Sequence, residues 1–100
     1  MAIVAVMEFD WDDGNRDKNL RHGVHDSEIE GAFQDTHGFV ASQLTVGGEA
    51  RYILFGRAAG SGKYLRVVFA VRMREGSRLI RPISAVEMSE RNRRRYRRRR

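Results

Sequence analysis

The most constraining feature of the sequence is the strict alternation of side chains over residues 63–74. The odd positions are all apolar: Leu65, Val67, Phe69, Val71 and Met73. The even positions include Tyr64, Arg66, Arg72 and Arg74. A period of two indicates a β-strand with one face on a core. The strand therefore belongs to a sheet with one apolar face and one face rich in arginine.

Turn signals on both sides of this strand predict an antiparallel meander of about four strands. Before it, a weak strand over 39–46 is followed by a Gly47-Gly48 hairpin turn, a strand over 51–57 and a loop over 58–62. After it, residues 75–77 turn the chain into a last strand over 78–84. Pro82 indicates that this last strand is an edge strand or ends there.

The other segments predict a short N-terminal strand and helices. Residues 3–11 are typical of a strand, and the polar stretch 12–22 of a helix capped by Asp12 or Asp13 and ended by Gly23. A second helix is predicted over 26–34, capped by Asp26 or Ser27. A basic C-terminal helix is predicted from about residue 86. Strands segregated from helices indicate the α+β class.

The helix over 26–34 carries one apolar stripe, formed by Ile29, Ala32 and Phe33. We expect Ile29 and Phe33 to pack over the apolar strand face of Leu65, Val67, Phe69 and Val71. One hundred residues suit one domain. We therefore predict a single domain over 1–100, with 91–100 as an arginine-rich helix end or tail.

Charge divides the sequence into two halves. The first fifty residues hold ten acidic and three basic residues, whereas the last fifty hold sixteen basic and three acidic ones. Eight of the basic residues are arginines within the last ten positions. Without that tail the chain is slightly acidic, so the basic character belongs to the tail. On charge alone the tail suits nucleic-acid contact and disorder about equally, and an acidic partner surface is a third option.

Several function classes are excluded or disfavoured. The chain has no cysteine, which excludes disulfides, thiol nucleophiles and zinc–thiolate sites. No apolar run is long enough to span a membrane, and residues 1–6 lack the basic flank of a signal peptide. His22, His25 and His37 lack metal-ligand spacing supported by context, so neither a metal nor another cofactor is expected. We expect a cytoplasmic protein with no membrane partner.

Two groups of residues are candidates for chemistry. His22, at the end of a predicted helix, suits a general acid or base, or simply a residue bonded to free helix carbonyls. The strand arginines suit either a concave surface for an RNA backbone or a solvated face paired with acids. These arginines are Arg51, Arg57, Arg66, Arg72, Arg78 and Arg81.

The segments in order resemble the BrnT family of bacterial type II toxins. The resemblance is carried by Phe9-x-Trp11-Asp12, residues 14–18, His22-Gly23-Val24, residues 28–30 and Phe33 in the first half. It continues with residues 48–52, Gly56-Arg57 and residues 80–85, then Met88 and Tyr96. The matches cover residues 7 to 96.

The resemblance implies a RelE-like fold and a ribonuclease toxin that uses no metal and takes the RNA 2′-hydroxyl as nucleophile. It implies a BrnA-type antitoxin partner with a ribbon-helix-helix domain, so that DNA is contacted only through the antitoxin. The matched positions to which the catalytic role is carried over are His22, Arg51, Arg57 and Tyr96. Further RNA contacts are expected at Arg72, Arg78, Arg81, Arg94 and Arg95.

Within this set each residue has an expected role. His22 is the one matched side chain whose ordinary pKa lies near neutrality, so it is the expected acid or base. Arg51 and Arg57 are six residues apart on one strand and share a face, so they are expected to clamp the phosphate. Tyr96 is expected to orient a base or the scissile group.

Two positions depart from the family pattern. The family usually has arginine directly after Ser-Ala, where this chain has Val86, and glutamate four residues before the tyrosine, where it has Asn92. Losing one charge-stabilising donor costs roughly 2–4 kcal/mol of barrier. A non-catalytic RNA- or partner-binding module is therefore the alternative function. A third possibility is a DNA-associated accessory protein that uses only the tail.

Overall fold

The computed structural model describes residues 7–98. Its elements are a 3₁₀ helix (Lys18–His22), α1 (Asp26–Phe33), β1 (Phe39–Val46), β2 (Glu49–Arg57), β3 (Tyr64–Arg74), β4 (Ser77–Glu87) and α2 (Glu90–Arg98). The strands form one antiparallel sheet in the order β1-β2-β3-β4. The α+β class and the four-stranded meander are confirmed.

The core lies between α1 and one face of the sheet. It contains the buried stripe of α1 and the first three odd positions of β3: Ile29, Ala32, Phe33, Leu65, Val67 and Phe69. The rings of Phe33 and Phe69 meet edge to face with centroids 4.9 Å apart. The predicted packing is wrong for Val71, which is 42% exposed. The eight-residue α1 is only about 12 Å long and covers part of the eleven-residue strand.

The hairpin between β1 and β2 has the predicted turn. Gly47 and Gly48 have φ values of 57° and 82°, which only glycine adopts readily in succession. β4 is an edge strand, as Pro82 indicated, but it does not end there. The register of β3 and β4 shifts between the pairs Val68–Ser84 and Phe69–Pro82. This bulge lets the strand continue to Glu87, so α2 begins at Glu90 instead of at residue 86.

The N-terminal predictions are only partly supported. Of the predicted strand over 3–11, residues 3–6 lie outside the described residues. The rest makes one isolated parallel bridge, between Phe9 and Ile80. The predicted helix over 12–22 is wrong for its first part, where the chain forms turns before the 3₁₀ helix. Gly23 ends that helix with a φ of 74°, as predicted.

The cap of α1 also differs from the prediction. His25 occupies the N-cap position, not Asp26 or Ser27. The carboxylate of Glu28 accepts a hydrogen bond of 2.9 Å from the backbone N–H of His25. This is the reciprocal half of a capping box, which a search for Ser, Thr, Asp or Asn at the cap does not find.

Two buried asparagines explain why residues 12–22 fold as turns. The Nδ2 of Asn15 donates a hydrogen bond of 2.9 Å to the Pro82 carbonyl. The Oδ1 of Asn19 accepts a hydrogen bond of 2.9 Å from the backbone N–H of Ala85. Both partners are backbone groups of β4, on the side where, within residues 7–98, no further strand of the sheet lies. The turn region thus satisfies the open edge of β4, a requirement that outweighs local helix preference.

Candidate functional site

The sheet face opposite α1 carries most of the strand arginines. The strand register places Arg51, Arg57, Arg66, Arg72, Arg74 and Arg81 on it. We call this surface the arginine face. Arg78 is the exception, because it pairs with Met73 and lies on the same side of the sheet as Val71.

One end of this face, the paired end, consists of Arg51, Arg72, Arg74 and Arg81 with Glu49, Asp10 and Asp12. Arg51 and Arg72 each bond one oxygen of Glu49. Arg81 bonds both Asp10 and Asp12, and Arg74 bonds Asp10. The reading of strand arginines as a face paired with acids therefore holds for this end.

The ion pairs change the titration of two paired-end carboxyls. The hydrogen bond from Arg81, with a further one from the Gly14 N–H, lowers the pKa of Asp12. The hydrogen bonds from Arg72 and Arg51 lower the pKa of Glu49. Beside these pairs lies a cavity of about 250 Å³ that Lys18, Arg51, Arg72 and Arg81 line. This cavity adds one further cation, Lys18, to the paired end.

The other end of the face, the open end, consists of Arg57, Arg93 and Arg97 around the ring of Tyr64. Their guanidinium carbons lie 5.5, 4.7 and 5.7 Å from the ring centroid. Within residues 7–98, none of these three arginines has a carboxylate within ion-pair distance. The Nε of Arg93 is buried and has no hydrogen-bond partner there. The open end therefore presents unneutralised charge on an aromatic platform.

Tyr96 joins α2 to the sheet beside the open end. Its O–H donates a hydrogen bond of 2.5 Å to Asp35 Oδ2. This carboxylate oxygen also accepts a hydrogen bond of 2.8 Å from the backbone N–H of Arg57. Its ring stacks on Phe39 and meets the edge of Tyr64. Burial, together with the bond to Asp35, raises the pKa of Tyr96 above its usual range. The phenol therefore stays protonated and serves as a hydrogen-bond donor, not as a base.

Helix α2 has no buried residue and rests on the sheet through arginine–aromatic contacts. The guanidinium of Arg95 lies 5.5 Å from the Phe55 ring centroid and donates a hydrogen bond of 3.3 Å to the Ala41 carbonyl. Arg94 faces Glu90 one turn earlier, at 3.7 Å. Arginine stems thus take the place of the apolar stripe that a docked helix ordinarily has.

The structure brings together two of the four expected catalytic residues. Arg57 and Tyr96 meet through Asp35. Arg51 shares their face, but six residues along a strand correspond to about 20 Å at roughly 3.3 Å per residue. That distance is greater than two arginine side chains can close on one phosphate, so Arg51 and Arg57 would contact different phosphates.

His22 stands apart from the other three. It is exposed at the end of the 3₁₀ helix, and within residues 7–98 no hydrogen bond joins it to Arg51, Arg57 or Tyr96. The next residue is tied to the open end, because Lys63 Nζ donates 2.6 Å to the Gly23 carbonyl and Tyr64 follows Lys63. His22 therefore lies near that end of the sheet without an oriented imidazole.

Sequence reasoning missed four residues of the site: Asp35, Tyr64, Arg93 and Arg97. Tyr64 left a signal, because it is the one aromatic residue at the even positions of β3. Asp35 left none, since its role depends on the meeting of α2 and β2. Val86, the position that departs from the family, pairs directly with Arg66 and so lies on the arginine face.

Within residues 7–98, no group of three or more His, Cys, Asp or Glu side chains is placed to hold a metal ion. No helix in this range is long and apolar enough to cross a membrane.

Comparison with known proteins identifies a family. No curated protein matches the chain. A family model described as "Ribonuclease toxin, BrnT, of type II toxin-antitoxin system" matches residues 11–92. The match includes both ends of the sheet and stops before Tyr96. A toxin of this kind acts on RNA and has an antitoxin partner. The chain therefore belongs to the BrnT family of type II toxin–antitoxin ribonuclease toxins.

Proposed function

We propose that the chain cuts RNA on the arginine face and that the open end holds the scissile phosphate. The observation that supports this is the contrast in charge pairing between the two ends. Arg57, Arg93 and Arg97 have no carboxylate partner among residues 7–98. A phosphate at the open end therefore gains charge-assisted bonds without first displacing an acid. Tyr64 offers a face on which a base can stack.

The chemistry needs no metal. The RNA 2′-oxygen attacks the phosphorus, its proton passes to a base, and the 5′-oxygen leaves after receiving a proton. Arg57 stabilises charge on the non-bridging oxygens, and the protonated Tyr96 orients the scissile group through its bond to Asp35. His22 is the proposed acid or base, which requires its exposed imidazole to turn toward the bound RNA.

The remaining predicted residues would act on flanking phosphates. Arg51, Arg72 and Arg81 line the cavity at the paired end, where a phosphate competes with Glu49, Asp10 and Asp12. Arg94 and Arg95 carry positive charge along α2. Arg78 would reach RNA only beyond the edge of β4, because it lies on the other side of the sheet.

The fold and partners follow the family. We propose that the sheet with its flanking helices is RelE-like, in a single cytoplasmic domain. The antitoxin would be of BrnA type with a ribbon-helix-helix domain, through which alone the complex meets operator DNA. The four-stranded antiparallel sheet and the basic C-terminal helix support this assignment.

The test is cleavage of a labelled single-stranded RNA in the presence of EDTA. Arg57→Ala should lower kcat by about 10²–10³, the cost of one charge-stabilising donor. Arg21→Ala removes the same charge from an exposed site on the 3₁₀ helix and should leave kcat unchanged. Full activity in both His22→Ala and the Arg51→Ala/Arg57→Ala double variant, each verified as folded, would sink the assignment. Loss of cleavage in EDTA would contradict the metal-free chemistry.

A non-catalytic RNA-binding module is the second candidate, and Val86 favours it. This side chain pairs with Arg66 on the arginine face, at the position where the family usually has arginine. The same assay decides between the two, because a binding module retains RNA without cutting it. If the chain is a weakened ribonuclease, Val86→Arg should raise kcat, whereas Val86→Lys controls for charge without the planar fork.

A further inference from the structure

The two outer edges of the sheet differ in how far other residues cover them. The outer edge of β4 is covered by the Phe9 bridge and by the side chains of Asn15 and Asn19. The outer edge of β1 has no strand beside it within residues 7–98. There the side chain of Arg95 bonds one carbonyl, that of Ala41. Within residues 7–98, the part of the β1 edge beyond Ala41 therefore presents backbone donors and acceptors for pairing.

The sequence of β1 lacks the charges and prolines that protect many edge strands, and one bulge, at Ala41, interrupts its pairing with β2. Phe39–Val46 contains no charged residue and no proline. Val40, Leu44 and Val46 are 52%, 37% and 42% exposed. Natural edges are usually blocked by lysine, by proline or by very short length. An eight-residue uncharged edge is suited to receive a further strand.

The two faces beside the start of β1 offer different pockets. On one side a cavity of about 370 Å³ is lined by Phe39, Val40, Arg95 and Arg98. On the core side a groove of about 430 Å³ has an apolar lining that includes Phe33, Leu54, Phe69 and Ile80. Successive side chains of an added strand point to opposite faces. One side chain would meet two guanidiniums and the next would meet the apolar groove.

The charges beside β1 select the kind of strand. The two carboxylates that adjoin it are already engaged, Asp35 by Tyr96 and Glu49 by Arg51 and Arg72. Within residues 7–98, Arg98 has no hydrogen-bond or ion-pair partner. A second copy of the chain that paired through its own β1 would bring an uncharged strand, which offers no acid to Arg95 and Arg98. An acidic strand is complementary to this surface.

We propose that the β1 edge is the docking site for an extended segment of the antitoxin, one that alternates acidic and apolar side chains and adds a fifth strand to the sheet. The location and the alternating pattern follow from the edge and its two pockets. The assignment of the partner rests on the proposed toxin function. Because α2 contacts both the open end and the start of β1, the docked segment lies beside the proposed RNA site.

The test combines hydrogen–deuterium exchange with binding of the protein encoded by the reading frame next to this one. Addition of this neighbouring protein should slow amide exchange in β1. Amide exchange at the already covered edge of β4 should stay unchanged. Val40→Lys and Arg98→Glu should each weaken binding by about tenfold or more. Met73→Lys alters an exposed apolar residue away from β1 and serves as the matched control, with unchanged affinity.

Each other outcome overturns the proposal. Protection elsewhere with none in β1, equal affinity of all variants, or no binding by the neighbouring protein contradicts it. Protection of β1 that rises with concentration of the chain alone assigns the edge to a second copy. RNA cleavage by Val40→Lys, measured separately, should equal that of the unaltered chain. If neither Val40→Lys nor the unaltered chain cleaved RNA, that result would contradict the proposed function, and the docking result would remain.

Discussion

The paired end and the open end of the arginine face differ in how the charge of their arginines is partnered. At the paired end, each of four arginines is ion-paired with at least one of Glu49, Asp10 and Asp12. At the open end, three arginines surround one tyrosine and have no carboxylate partner within residues 7–98. Chemically equal side chains therefore stabilise the fold at one end and remain available to a ligand at the other.

The comparison shows why a count of arginines on a strand does not locate a binding site. Asp10 is 64 residues from Arg74 and 71 from Arg81. The pairing depends on the N-terminal segment lying beside β4, which is a tertiary event. At the open end the arginines come from β2 and α2, and α2 is held to the sheet by the Tyr96–Asp35 bond and by arginine–aromatic contacts.

The largest effect is expected from a change in the core beneath the sheet, which both ends share. Phe69 is 7% exposed and packs against the rings of Phe33 and Tyr52. Phe69→Ala should lower the free energy of unfolding by about 3–5 kcal/mol. Urea unfolding measures it, with Met73→Ala on the exposed part of β3 as control. An unchanged melting temperature would count against this core.

The second-largest effect tests whether the ion pairs of the paired end stabilise the fold. The side chain of Asp10 is 7% exposed, and Arg81 is one of its two partners. Arg81→Ala should lower the free energy of unfolding by roughly 1–3 kcal/mol, because a buried carboxylate loses a charged hydrogen bond. Arg78→Ala, on the same strand, removes an exposed arginine that has no ion pair within residues 7–98, and it should change the free energy of unfolding by no more than about 0.5 kcal/mol. Equal values for the two variants would remove the structural role of the paired end.

How far the sequence predicts this molecule depends on the range of the interactions involved. The alternation of β3 and the Gly47-Gly48 turn are local patterns, and the sheet built on them is confirmed. The helix over 12–22 was mispredicted because Asn15 and Asn19 bond to β4, more than sixty residues away. The face shared by Arg51 and Arg57 was predictable from even spacing. The separate pairing of their charges was not, since it is set by tertiary contacts.

A smaller effect separates the ends by their response to salt. Phosphate contacts release counterions, so RNA affinity should fall with salt between about 50 and 200 mM. Arg57→Ala should reduce the slope of log K against log salt by about one, the loss of one phosphate contact. Arg74→Ala, which removes a 62% exposed arginine paired with Asp10, should leave the slope unchanged. The reverse ranking would mean that RNA displaces the acids of the paired end.

The smallest effect is expected on the melting temperature at low pH, and it should come from the carboxyls of the paired end. The bond from Arg72 lowers the pKa of Glu49 below 4.5, and that from Arg81 lowers the pKa of Asp12 below 3.8. A carboxyl with a lowered folded pKa contributes its full stability above the unfolded pKa and loses it as pH falls through the folded pKa. The melting temperature should therefore be level above about pH 5 and fall below about pH 4.

Glu28 contributes acid sensitivity of its own, so the paired end must be isolated by difference. Burial favours the neutral form of Glu28, but hydrogen bonds from His25, Ser61 and Lys63 outweigh it and lower its pKa to about 2. Glu49→Gln should shrink the loss of melting temperature on acidification, and less so in high salt, which screens exposed pairs. Glu8→Gln removes an exposed carboxyl without an ion pair in residues 7–98 and should leave the acid profile unchanged. If both variants gave the same profile, the Glu49 pairs would contribute nothing to stability, and the paired end would be as open to phosphate as its counterpart.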